Sequence, residues 1–215
     1  MSPSRRYGLC ALTFCLLLAC WSVKESWLTP LLTLTQPAAA LPWLNAVIKC
    51  ALWLLPAILL LRHYAPQVAR PLPVLFGGPQ PPYTVALGLG ALLLLRTAIH
   101  ALLARSAFTP APFLEWVSPV LVAGITEEAV FRGWLLGILE PAAGATRANA
   151  LQALLFTLIH FPKWLSEGVT PLGLLQSCAF IAAFGFLLGH VTVRNRSLWP
   201  AIGLHMLNNA LTLLL

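Results

Sequence analysis

The chain has 215 residues, 59% of them hydrophobic and only 9% charged, with a mean hydropathy of +0.84 and a formal net charge of +7. A soluble domain carries about 25% charged residues, so a soluble globular protein is excluded and an integral membrane protein is expected. The basic residues stand one or two at a time between apolar runs rather than on one polar face, which argues against a nucleic-acid partner and for loop charges beside a lipid bilayer.

In chain order, Arg5 and Arg6 precede an apolar run to Cys20. The pattern resembles a signal sequence, and Leu17-Leu18-Ala19-Cys20 loosely resembles a lipobox. No small-x-small cleavage site follows, so an uncleaved first span is expected. Apolar runs fall at 7–23, 43–62, 83–104, 113–139, 148–165, 172–190 and 198–215. A spanning helix needs about 20 residues. The expected fold class is therefore all-α, a polytopic membrane bundle of about seven (six to eight) transmembrane helices, with 1–215 forming a single membrane domain. The stretch 24–42 is broken by Pro30, Pro37 and Pro42 and is left as a loop, an interfacial segment or an eighth, poorly formed helix. Residues 66–82 carry six prolines and two glycines and read as an extended surface loop, since proline removes backbone donors.

With the N-terminus inside, the inner segments hold Arg5, Arg6, Arg62, Arg70, Arg147, Arg194 and Arg196, against Lys24, Arg105 and Lys163 outside. This bias predicts a cytoplasmic N-terminus. The cysteines, Cys10, Cys15, Cys20, Cys50 and Cys178, form no Cys-x-x-Cys pair and read as packing residues. Asn195-Arg-Ser197 matches a glycosylation sequon on the inner side, a chance tripeptide.

The chemistry-bearing stretch is 122–136, an apolar run with Glu127, Glu128 and Arg132 at its centre. A charge at the middle of a span costs at least ~2.5 kcal/mol. Glu128 and Arg132 are four apart and can pair on one helix face. Glu127 points about 100° away and is left as a carboxylate without a partner. Two further helices carry polar sets: Phe156 and His160, four apart, and His205 with Asn209, four apart, Asn208 being the weaker alternative. A buried ion network that only fixes packing accounts for Glu128 and Arg132, but not for Glu127. A histidine alone in an apolar helix is usually a packing residue, and asparagines glue membrane helices. Together the sets fit hydrolysis. Burial discourages the charged form of a carboxylate, and such a carboxylate, helped by a histidine, takes a proton from water. A second histidine and an amide donate to the developing oxyanion. No Gly-x-Ser-x-Gly and no His-Glu-x-x-His occurs, so a serine mechanism and the usual zinc-protease helix are disfavoured. Zinc held by Glu127, His160 and His205 remains the alternative to activated water without a cofactor.

Glu127-Glu-Ala-Val-Phe-Arg132, Phe156-Thr-Leu-Ile-His160 and His205-Met-Leu-Asn-Asn209 resemble the three motifs of the CPBP intramembrane protease family, type II CAAX prenyl endopeptidases and bacteriocin-processing relatives. The resemblance covers 113–215, the half read as catalytic, and implies an all-helical membrane fold of about eight spans. It implies that Glu127 and His160 activate water, that His205 and Asn209 form the oxyanion hole, and that Glu128, Arg132 and Phe156 support the site. Older descriptions of the family are metal-dependent. The implied substrate is a membrane-associated protein or peptide, prenylated in eukaryotic members. Arg96, inside the third span, is a candidate for binding a substrate carboxylate; pairing with Glu115 or snorkelling to an interface is the plainer reading. Two other functions compete: a silent family member acting as a membrane chaperone or immunity factor, and a proton-coupled carrier. A carrier predicts inverted repeats, and none is visible.

Overall fold

The computed structural model describes residues 1–104 and 111–214. Arg105, counted above among the outer charges, lies outside them. The protein is an all-α membrane bundle, and the described residues contain no strand. Its elements are α1 (Pro3–Thr35), α2 (Ala38–His63), the short α3 (Leu72–Leu75), α4 (Thr84–Ala104), α5 (113–143), α6 (Ala145–Leu158), α7 (Phe161–Ser166), α8 (Pro171–Asn195) and α9 (Trp199–Leu213). Four of them, α1, α2, α4 and α8, are long and apolar enough to cross a membrane. Helices α6 and α9 have 14 and 15 residues, fewer than the ~20 a full span needs.

Residues 24–35 correct the sequence reading, for α1 continues to Thr35 instead of breaking. A π-helical turn over Lys24–Leu28 precedes Pro30, and another over Cys50–Leu54 precedes Pro56. A proline ring collides with the carbonyl four residues back. A wider turn just before it relieves that collision, so these prolines modulate the helix without ending it.

The core forms around α5. Every residue from Thr126 to Leu139 is buried. Cys10, Phe14 and Trp21 of α1 and Trp53, Ala57 and Leu61 of α2 pack into the same cluster as Phe131, Trp134 and Ile138. The indole of Trp134 donates to Thr13 Oγ1 at 3.1 Å. The first helix is thus part of the packed core. A second cluster joins Leu89 and Leu93 of α4 to Phe184 and Leu188 of α8 and Leu204 of α9.

The segment 66–82 is not the surface loop expected. Val68 and Leu75 are buried in the core, and the buried Arg70 forms an ion pair with the half-buried Glu140, its Nη1 donating to Oε1 at 3.2 Å. Ala69 N–H donates to the Gly137 carbonyl at 2.9 Å, and Leu198 N–H to that of Leu75 at 2.8 Å. Prolines forbid a long helix here, but the apolar residues between them still gain from burial. Asn195 of the sequon is 1% exposed and donates to the carbonyls of Gln80 and Pro82, so it is a structural clamp. Arg6 clamps the same end, donating to the carbonyls of Gln67 and Ile138. Arg6 and Arg70 thus both tie the 66–82 segment to the C-terminal part of α5.

Helices α6 and α8 approach closely because α8 presents Gly185 and Gly189, as small residues do at membrane helix interfaces. Asn149 Nδ2 donates to the Phe186 carbonyl at 2.9 Å, and Gln152 Nε2 to that of Gly185 at 3.1 Å. A methyl on Gly189 meets Asn149 Oδ1 at 1.8 Å. Gly189→Ala is expected to cost about 1–3 kcal/mol through overpacking. At roughly 2–4 °C per kcal/mol the melting midpoint in detergent falls by about 2–12 °C, whereas Ala at the open Gly203 leaves it in place.

Candidate active site

Three helices converge on the centre of α5. Glu128 and Arg132 are fully buried, and Arg132 Nη1 donates to Glu128 Oε1 at 2.9 Å, as their spacing predicts. The same Oε1 accepts from His205 Nδ1 at 2.7 Å, so α9 is tied to α5 through one carboxylate oxygen. Arg132 Nη2 reaches the Gly185 carbonyl of α8 at 3.2 Å. Its guanidinium lies 4.1 Å from the Phe156 ring centre, a cation–π contact with α6. Phe156 is 1% exposed, and both histidine rings meet it edge-on, His160 at 5.0 Å and His205 at 6.0 Å.

Glu127 is 7% exposed, and it is not the unpartnered carboxylate expected from the sequence. Lys49 of α2 donates to its Oε1 at 2.5 Å. Lys49 lies 78 residues upstream on another helix, so spacing around Glu127 does not reveal it. The signal was present: Lys49 is a cation in the middle of the 43–62 run, where a charge is as costly as the glutamates. The other oxygen, Oε2, stands 3.7 Å from His205 Nε2. His160 and His205 both pack edge-on against Phe156, so the two rings share that side chain. The 3.7 Å gap is too long for a direct hydrogen bond. It is shorter than twice a ~2.8 Å bond, so one water can bond to both groups from the side.

Acceptor chemistry fixes the tautomers. His160 Nδ1 lies 2.7 Å from the Phe156 carbonyl, which only accepts, so Nδ1 carries hydrogen and the neutral ring has its lone pair at Nε2. His160 also stacks on Trp164 at 5.4 Å. His205 gives its Nδ1 hydrogen to Glu128. Asn209 donates one amide hydrogen to the Pro119 carbonyl at 2.7 Å and keeps the second. Asn208, the weaker alternative, is more buried and donates to Asn209 Oδ1 at 3.2 Å.

Arg96 is exposed on α4, with its guanidinium 5.0 Å from the Phe180 ring. It does not pair with Glu115 among the described residues. Phe180 stacks on Phe184 at 5.7 Å, and Phe184 meets His205 edge-on at 6.0 Å, so an aromatic ladder joins Arg96 to the site. For zinc, no group of three His, Cys, Asp or Glu side chains among the described residues is placed to hold one ion. Glu127 Oε1 faces an ammonium and Glu128 Oε1 already accepts two hydrogens. As arranged, the residues do not form a metal cradle.

The family model of the Rce1-like type II CAAX prenyl endopeptidases matches residues 109–211. Residues 109–211 are thus similar to this family. The Rce1-like region contains the motif-bearing α5, α6 and α9, whereas Lys49 comes from outside it. No curated protein matches the chain, and no solved structure does.

Proposed function

We propose that the protein is an intramembrane endopeptidase that hydrolyses a peptide bond in a membrane-associated protein or peptide. Similarity to a CAAX protease family supports peptidase activity in general. The glutamate mechanism rests on one observation: Glu127 Oε2 stands 3.7 Å from His205 Nε2 at the junction of the three motif helices, where His160 and His205 share the Phe156 ring. Water held there adds its oxygen to the scissile carbonyl carbon and gives its proton to Glu127. When the tetrahedral adduct collapses, the C–N bond breaks and the proton passes to the leaving amine through His160 Nε2. The free hydrogen of Asn209 offers a hydrogen bond to the oxyanion, and His205 Nε2 offers another when the ring carries a second proton, its Nδ1 hydrogen being held by Glu128. Glu128, Arg132 and Phe156 hold these groups in place, and Arg96 is a candidate anchor for a substrate carboxylate. The charge bias supports a cytoplasmic N-terminus, and the resemblance of this compact chain to bacterial members of the family supports a bacterial inner membrane.

The test is cleavage of a farnesylated peptide with a Cys-aliphatic-aliphatic-X end by purified protein, read by mass spectrometry with and without a strong chelator. Wild type is expected to cleave in both conditions, and His160→Ala to lose roughly 10²-fold or more. Activity that vanishes with chelator and returns with zinc overturns the glutamate mechanism.

The Lys49–Glu127 pair also favours a second reading. A carboxylate neutralised by a buried lysine completes an ion network of the packing type. That supports a silent family member acting as a membrane chaperone or immunity factor, and it predicts that Glu127→Gln keeps biological function.

A further inference from the structure

Lys49 is 9% exposed, and Glu127 is its hydrogen-bond partner. Its ammonium lies 5.0 Å from the Trp53 ring centre and 5.4 Å from that of Trp21. The two indoles meet edge-on at 4.9 Å. They form a wall that attracts a cation and excludes water, so Lys49 has little freedom to turn elsewhere. The contact is also one-sided: Nζ takes Oε1 and leaves Oε2 facing His205. The last torsion of a glutamate is broad and nearly unrestrained. A buried cation on one oxygen removes that freedom.

We propose that Lys49 is a positioning residue of the hydrolytic site, fixing Glu127 through Oε1 so that Oε2 is presented to the attacking water. This rests on the endopeptidase reading above. It extends the site beyond the family-matched region into α2, and it makes the Trp21–Trp53 wall part of the apparatus. A lysine serving packing alone affects folding; a positioning lysine affects turnover through Glu127.

The experiment measures kcat and KM for the farnesylated peptide, together with melting midpoints, for wild type, Lys49→Met, Lys49→Arg, Glu127→Gln and the Lys49→Met/Glu127→Gln double variant. Misplacement of a reacting group by about 1 Å costs roughly 10²-fold. Lys49→Met is therefore expected to lower kcat by about that factor with KM within about twofold. Lys49→Arg, which keeps the charge, recovers most of the loss. In the Glu127→Gln background, Lys49→Met changes kcat no further, because nothing is left to position. The double variant also removes the unpaired charge, so it melts above Lys49→Met and reports turnover in folded protein. An active wild type with an equally active Lys49→Met overturns the role of Lys49 alone, as do losses that multiply in the double variant. Wild type that leaves the peptide intact, or Glu127→Gln as active as wild type, removes the hydrolase and the role of Lys49 with it.

Discussion

Glu127→Gln is expected to lower peptide turnover by roughly 10²–10⁴-fold, the range that a positioned proton acceptor contributes. The fold is expected to survive, for a reason visible in the contacts. The glutamine carbonyl oxygen still accepts from Lys49 Nζ in place of Oε1, so the lysine keeps its hydrogen bond. What is lost is the second carboxylate oxygen, the one 3.7 Å from His205 Nε2. An amide in that place cannot take a proton from water. Lys49 loses its counter-charge but keeps that bond, so a lowered melting midpoint in protein that still folds, with a collapsed kcat, is the expected pairing. Unchanged turnover leaves only the packing role.

Arg132→Met is expected to do the reverse and strike stability first. Arg132 is 0% exposed and binds three helices at once, through Glu128 on α5, the Gly185 carbonyl on α8 and the Phe156 ring on α6. Removing one member of a buried ion pair costs about 3–5 kcal/mol, because the charge left behind has lost its compensation. That is a large part of the ~5–15 kcal/mol by which a typical domain is stable. The measurement is the melting midpoint and the yield of monodisperse protein in detergent. Lysine is not expected to rescue, since it lacks the planar fork that serves Glu128 and Gly185 together. Adding Glu128→Gln to Arg132→Met should restore part of the loss by removing the stranded carboxylate. A stable, well-expressed Arg132→Met contradicts the network described here.

The motif helices were legible because their signal is local. Glu128 and Arg132 are one turn apart, and Phe156 and His160 likewise, so face and partner follow from spacing alone. The partner of Glu127 was not legible in that way, since Lys49 lies 78 residues upstream on another helix. Weighing every mid-span charge, basic as well as acidic, identifies Lys49 as in need of a counterion, though not which one. The Pro-rich segment 66–82 misled for a related reason. Proline reports what the backbone cannot do, whereas Val68 and Leu75 report what the side chains gain, and burial decided the outcome. The continuity of α1 through Pro30 depended on a π turn, a change of helical period that a fixed-period reading does not register.

The clamp between Arg6 and the Ile138 carbonyl spans 132 residues of sequence. A ribosome adding about 5–20 residues per second takes roughly 7–26 s to cover that distance. Trp21 can meet Trp53 early in that interval and Arg6 the Gln67 carbonyl midway, whereas the Ile138 carbonyl and the α5 face that the first helix packs against come last. The first helix therefore completes its packing only after α5 has been made, and the bundle closes from its two ends of sequence together.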